Sequence, residues 1–201
     1  MPEQTTTPML SELFDDALKY ASGLHRTQTR KGGDIPYVGH LLSVASLVIE
    51  GGGTQTQAIA GLLHDAVEDR GGPPTLAEIR ARFGDDVAQI VAECSDTDKV
   101  PKPPWKARKE AYIAHLDEAS DATILVSLAD KLDNARAILR DFRLVGPELW
   151  SRFSEHDPQE HLWYYQSLLA VFERRNDTWL VPELARVLRD LDAAIEEQKS
   201  W

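Results

Sequence analysis

The segment Ile124-Leu125-Val126 would suit a β-strand if it stopped there, but the apolar residues continue through Leu128, Leu132, Ala135 and Leu139. Recurrence at three and four residues over that length is helical, and predicts a long buried helix over 121–142. The same spacing links Leu10, Leu13, Phe14, Leu18, Ala21 and Leu24, which predicts one apolar helix face near the N-terminus. A polar loop over 27–36 follows, with Gly32-Gly33 and Pro36, and a second helix should open near Tyr37 and stop at Gly51-Gly52-Gly53. Thr54 suits the N-cap of a third, running through His64 and Asp65 to about Asp69. Thr75-Leu76-Ala77-Glu78 has the form of a capping box, opening a short helix that ends near Gly84, with another over 85–93. Three prolines make 95–104 a loop, and further helices are expected over 105–118, 147–154, 159–174 and 182–198. No alternating apolar series appears. The fold class is all-α, with about 8–10 helices.

A chain of 201 residues fits one domain. The expected layout is a flexible N-terminus over 1–8, a main domain over 9–178 and a C-terminal helix over 179–201 packed on it. A net charge of −11 argues against nucleic acid as a partner, since that needs an extended basic surface. It leaves room for a small anionic ligand in a local basic pocket. No stretch approaches the roughly 20 apolar residues of a membrane span, so no membrane partner is expected. Met1 to Pro8 lacks the basic-then-apolar layout of a secretory signal, and the single cysteine, Cys94, fits a reducing cytoplasm. Cys94 follows an apolar run and is expected in the core. Oligomeric state is left open.

Chemistry is concentrated in a few places. His64-Asp65 closes the apolar run Ala58–Leu63, with Glu68 and Asp69 just beyond. On an unbroken helix Glu68 would share a face with both. Negative charge at a helix C-terminus opposes the helix dipole, which suggests another use for Glu68 and Asp69. His40 sits among Val38, Leu41 and Leu42, and Asp130 lies within Leu125–Ala129. A carboxylate so buried needs a partner, either a nearby cation such as Arg136 or a metal ion. Imidazoles and carboxylates on separate helices make a bundle-core site for Mn²⁺, Fe²⁺, Zn²⁺ or Mg²⁺.

The order H…HD…D, formed by His40, His64-Asp65 and Asp130, resembles the ligand order of HD-type phosphohydrolases. The flanking residues resemble a narrower branch, the hydrolase domain of RelA/SpoT-type alarmone enzymes and the stand-alone small alarmone hydrolases. The matching segments are Ala21 to His25 with Gln28, Arg30 and Lys31; Pro36-Tyr37 with His40; Leu62 to Asp69; Phe83-Gly84 with Val87; and Leu128 to Asn134 with Arg136. They span about residues 10–175.

That resemblance implies an HD helical bundle in which His40, His64, Asp65 and Asp130 hold one metal ion, Mn²⁺ in the family. It implies that Glu68 and Asp69 position or deprotonate the attacking water and that Asn134 orients the water or a phosphate. Arg30 and Lys31 would contact substrate, with His25 and Gln28 supporting the pocket wall. The implied activity is removal of the 3′-diphosphate of guanosine tetra- or pentaphosphate. The chain is expected to be a hydrolase only, without a synthetase domain. A phosphatase acting on NADPH or another nucleotide, or an inactive nucleotide-binding domain, would keep the same residues.

Residues 99–109 carry five basic residues and no acidic one. They are expected either to be a solvated loop and helix start or to form a basic lid over polyphosphate, in which Lys99, Lys102, Lys106 and Arg108 contact substrate. Trp105 either stacks on a base or packs in the core. Trp163-Tyr164-Tyr165 should be mostly core, with one tyrosine hydroxyl at the pocket. His115, His156 and His161 are expected to be surface or structural residues.

Overall fold

The computed structural model describes residues 10–95 and 103–199. The expected flexible segment 1–8 lies outside them, as do Lys99 and Lys102. Ten α-helices are present among the described residues: Glu12–Leu24 (α1), Val38–Glu50 (α2), Gln55–Leu63 (α3), Ala66–Asp69 (α4), Pro73–Phe83 (α5), Asp85–Cys94 (α6), Trp105–Glu118 (α7), Asp121–Val145 (α8), Pro158–Arg175 (α9) and Leu180–Lys199 (α10). A 3₁₀ turn, Gly146–Arg152, stands where an α-helix over 147–154 was expected. The only β feature among them is an isolated bridge between Thr29 and Pro36, which pins the loop before α2. None of these helices is long and apolar enough to cross a membrane.

Two helices form the centre. Every residue of α8 from Thr123 to Asp130 is buried, as is every residue of α3 from Ala58 to Leu63. A helix apolar on all sides must be enclosed by others. α8 packs against α2, α3, α6, α9 and α10, so it is the axis of the bundle. Leu128 and Leu132 are wholly buried there, and truncating either to alanine costs about 2–5 kcal/mol. Cys94 is half-buried and packs against the core.

Two local expectations are corrected. The third helix does not run unbroken to Asp69. It ends at Leu63, and His64 Nδ1 donates to the carbonyl of Gly61 at 2.8 Å. In a continuous helix that carbonyl would take the amide of Asp65. Asp65 instead adopts φ −94°, ψ −2°, and the chain restarts as α4. The His-Asp pair thus sits at a break, which turns both side chains into the bundle. Thr75 likewise does not cap α5: Gly72 precedes the helix, Pro73 opens it, and the Thr75 hydroxyl donates back to the carbonyl of Arg70 at 2.7 Å.

Candidate metal centre

Three elements converge at one end of α3. The first turn of α2 brings His40, the α3–α4 break brings His64 and Asp65, and α8 brings Asp130. His40 Nε2 and His64 Nε2 face each other at 3.3 Å. Asp130 Oδ1 lies 3.2 Å from the first and 3.4 Å from the second. Asp65 Oδ2 lies 2.9 Å from His64 Nε2 and 3.6 Å from His40 Nε2.

The far nitrogens decide what the near ones can do. His64 Nδ1 faces the Gly61 carbonyl and His40 Nδ1 faces Asp133 Oδ2 at 2.6 Å, both obligate acceptors. Each Nδ1 therefore carries a proton, which leaves each Nε2 as the nitrogen that would give its lone pair to a cation at the centre. Two imidazole nitrogens and two carboxylates directed at one point call for a cation, whether protons or a metal ion. Burial pushes His40 down, but hydrogen bonds to Asp130, Asp133 and Asp65 outweigh it and lift it to about 9. Burial likewise pushes Asp130 up, but Lys131 and His64 hold it well below the usual carboxylate range. His40, His64 and Asp65 have ligand atoms within 4.8 Å of one another, close enough for a single ion. The mixed nitrogen and oxygen set fits a divalent transition metal.

Of the two partners expected for Asp130, the cation Arg136 is not beside it. Arg136 turns away to Glu183 on α10 at 2.9 Å. Asp130 instead accepts from Lys131 Nζ at 2.5 Å and from Asn134 Nδ2 at 2.5 Å, while Oδ1 faces the histidines.

A cavity of about 270 Å³ opens from this point. Asp65 and Asp130 stand at its metal end, with Arg30, Lys31, Lys131 and Asn134 among the residues around it. Glu68 is half-buried on α4, and Asp69 is exposed and accepts from Gln28 Nε2 at 2.6 Å. His25 Nδ1 meets Gln28 Oε1 at 2.8 Å, so His25 and Gln28 form a strut behind Asp69.

The basic lid is only partly realised among the described residues. Lys106 pairs with Glu160, with its ammonium 3.2 Å from the centre of the Trp163 ring. Arg108 donates to the Pro103 carbonyl at 3.1 Å. Neither lines the cavity, because helix α7 directs them elsewhere. Lys109 from the same run does line it. Trp105 both packs against His161 and Tyr164 and lines the cavity, and two tyrosines, Tyr164 and Tyr165, reach the wall instead of one.

Several contributors had no role from sequence. Tyr37 donates its hydroxyl to Asp65 Oδ2 at 2.5 Å, and Asp133 orients His40. Lys131, directly beside Asp130 at the end of the apolar run Ile124–Ala129, carried a visible signal. His161 is buried and lines the cavity, whereas His115 and His156 are exposed. Asp141 lies in a stretch that matched no motif.

The HD domain profile matches residues 17–157. The chain belongs to the HD-domain family. Within it, the chain is 41% identical over 142 residues to guanosine-3′,5′-bis(diphosphate) 3′-pyrophosphohydrolase MESH1 of Xenopus tropicalis, covering 69% of this chain and 74% of that one. The human MESH1 is 36% identical over 149 residues, covering 73% and 76%. A solved structure of a metazoan SpoT orthologue, described as hydrolysing ppGpp, superposes with a TM-score of 0.73 at 28% identity, covering 90% of this chain and 96% of that one.

Proposed function

We propose that the chain hydrolyses guanosine 3′,5′-bis(diphosphate) and its pentaphosphate analogue at the 3′ position, giving GDP or GTP and pyrophosphate. The observation that carries this is the pair of imidazoles, 3.3 Å apart, each with Nδ1 engaged and Nε2 turned toward Asp65 and Asp130. The names of the MESH1 relatives supply the substrate.

In this scheme His40, His64, Asp65 and Asp130 hold the metal, and Mn²⁺ is the proposed ion. When bound it lowers the pKa of water and offsets charge on the phosphoryl oxygens. The protein's own groups do the rest. Glu68 and Asp69 accept the proton from the attacking water, which is general base catalysis. The water oxygen bonds to the phosphorus on the 3′ oxygen, and the bond from that phosphorus to the 3′ oxygen breaks. The 3′ oxygen takes back the proton held by the carboxylate pair and becomes a hydroxyl, and because the bond broken is the one to the 3′ oxygen the diphosphate departs intact. Asn134 orients the phosphate, while Arg30, Lys31 and Lys131 face its negative charge. The scheme places the reaction in one domain over 9–178, supported by the C-terminal helix, and in the cytoplasm.

The test is product analysis with a nucleotide panel under Mn²⁺, Zn²⁺, Fe²⁺ and Mg²⁺. Pyrophosphate and GDP from guanosine tetraphosphate, greatest with Mn²⁺, is the expected result. Orthophosphate from NADPH with the alarmone left intact would overturn it.

A further inference from the structure

We propose that Asp141 selects the base of the substrate, favouring guanine over adenine; this rests on the 3′-diphosphate hydrolase assignment above. Asp130, Asn134, Ala137 and Asp141 all line the cavity. They stand at steps of four, seven and eleven residues along α8, and eleven residues make just over three whole turns, so they share one face. That face carries the cavity roughly 16 Å from the metal-ligand carboxylate to Asp141. A nucleoside with its 3′-phosphate at the metal end, plus one hydrogen bond at the far edge of its base, is of this length.

The same cavity has an aromatic wall that suits a flat ring. Trp105, Phe153, His161 and Tyr164 form it, with the His161 ring centre 5.5 Å from that of Trp105 and 5.0 Å from that of Phe153. Burial pushes His161 down from the usual imidazole range, and its Nε2 donates to the Glu155 carbonyl at 2.9 Å. A packed aromatic wall of this kind can stack on any base from one side and cannot tell one from another.

A carboxylate can. Guanine presents its N1–H and 2-amino group side by side, and a carboxylate takes them as two parallel hydrogen bonds. Adenine presents a lone pair at N1, which a carboxylate repels. Asp141 is suitably held: Arg140 Nε donates to Oδ1 at 2.8 Å, and Arg152 Nη1 lies 3.6 Å from Oδ2. These use only part of the four acceptor sites of a carboxylate, and the side chain remains 24% exposed. Arg152 also lies over Gly32, where a Cβ would fall 2.2 Å from its Cδ. Gly32 has φ +73°, a conformation that favours glycine. Arg152 therefore ties Asp141 to the loop that carries Arg30 and Lys31, and holds the base end of the cavity against the phosphate end.

The experiment compares steady-state rates of the Mn²⁺-loaded full chain on guanosine 3′,5′-bis(diphosphate) and on its adenosine counterpart. The wild type should favour guanosine by about 10–100-fold in kcat/KM, the discrimination of one bidentate pair. Asp141→Ala should bring the two substrates to within about threefold of each other, the worth of stacking alone, with the loss in KM for the guanosine substrate. Asp141→Asn keeps one acceptor oxygen and should fall between; it carries the test if the alanine variant does not fold. Arg152→Gln should slow both substrates together. A wild type with no preference, or an Asp141→Ala that slows both substrates by one factor, would overturn the proposal and make Asp141 a clamp for Arg152. If the wild type cleaves neither 3′-diphosphate, the hydrolase assignment fails. Calorimetric binding of GMP against AMP to the same variants then decides the role of Asp141 separately.

Discussion

His40 donates its Nδ1 proton to Asp133 Oδ2 across 2.6 Å, joining the first turn of α2 to the middle of α8. Ser43 holds the other oxygen of Asp133 at 2.5 Å, and Arg30 stands 3.8 Å from Oδ2. One carboxylate thereby fixes the tautomer of a metal-facing imidazole and touches a residue assigned to substrate. A carboxylate behind a ligating histidine orients the ring and raises its basicity.

Replacing Asp133 by alanine should therefore lower Mn²⁺ affinity by about 10–100-fold with little change in helical content. Asp133→Asn keeps an acceptor oxygen for Nδ1 and should lose less. Titration calorimetry with Mn²⁺ checks both, and equal affinity in all three proteins would show that the contact does not tune the metal.

Metal binding and proton transfer should separate cleanly. Asp65 faces both histidines, so Asp65→Ala should abolish both metal binding and turnover. Glu68 lies one turn further, on α4, and Glu68→Ala should keep the metal and lose turnover by about 10²–10⁴-fold, the usual contribution of a general base. Metal analysis alongside rates would expose an error, for instance an Asp65→Ala protein with normal metal content.

Gln28 offers a milder test of the same machinery. Its amide donates to Asp69 and its oxygen faces His25 Nδ1, so the amide can sit in only one orientation. Gln28→Ala should lower kcat by about tenfold through misplacement of Asp69, with metal content and KM little changed. A change confined to KM would place Gln28 on the substrate instead.

The bundle and the metal residues were legible because they depend on periodicity and on carboxylates or imidazoles in apolar surroundings. Asp130 is the plainest case: its neighbours from Leu125 to Ala129 announce burial, and burial demands a counter-charge. The break at His64 was not legible, because it arises when the imidazole competes for the Gly61 carbonyl, a choice that depends on what the ring meets across the bundle. The direction of Lys106 was equally hidden. Its charge is visible in the sequence, but its partner Glu160 is 54 residues away. His161 looked ordinary because its neighbours in space, Trp105, Trp150 and Phe153, come from other segments.

The placement of the basic residues separates two arginine and lysine classes. Arg30 lines the cavity, whereas Lys106 is committed to Glu160 and Trp163. Arg30→Ala should raise KM for the tetraphosphate by about tenfold or more, as expected for loss of a charged contact to phosphate. Lys106→Ala should stay within about threefold, as an exposed ion pair contributes little. KM values for both variants check this, and a large rise for Lys106→Ala would mean that it reaches the substrate after all.

Acid should loosen the C-terminal helix through Glu183. This carboxylate on α10 accepts from Arg186 at 2.8 Å and from Arg136 of α8 at 2.9 Å. The Arg186 hydrogen bond first, then that of Arg136, holds Glu183 down to about 2, against about 4.3 for an ordinary glutamate. A depressed folded value means that the contribution is fully present above the unfolded pKa and is lost as pH falls from about 4.3 through 2. The site is open to solvent, so screening limits the effect to about 1 kcal/mol. Urea unfolding followed from pH 7 to pH 2 should show wild type losing that increment in this window. Glu183→Gln should begin less stable by the same amount and lack that part of the pH dependence. Parallel curves for the two proteins across the window would show that the Arg136–Glu183 tie contributes nothing to holding α10 on α8.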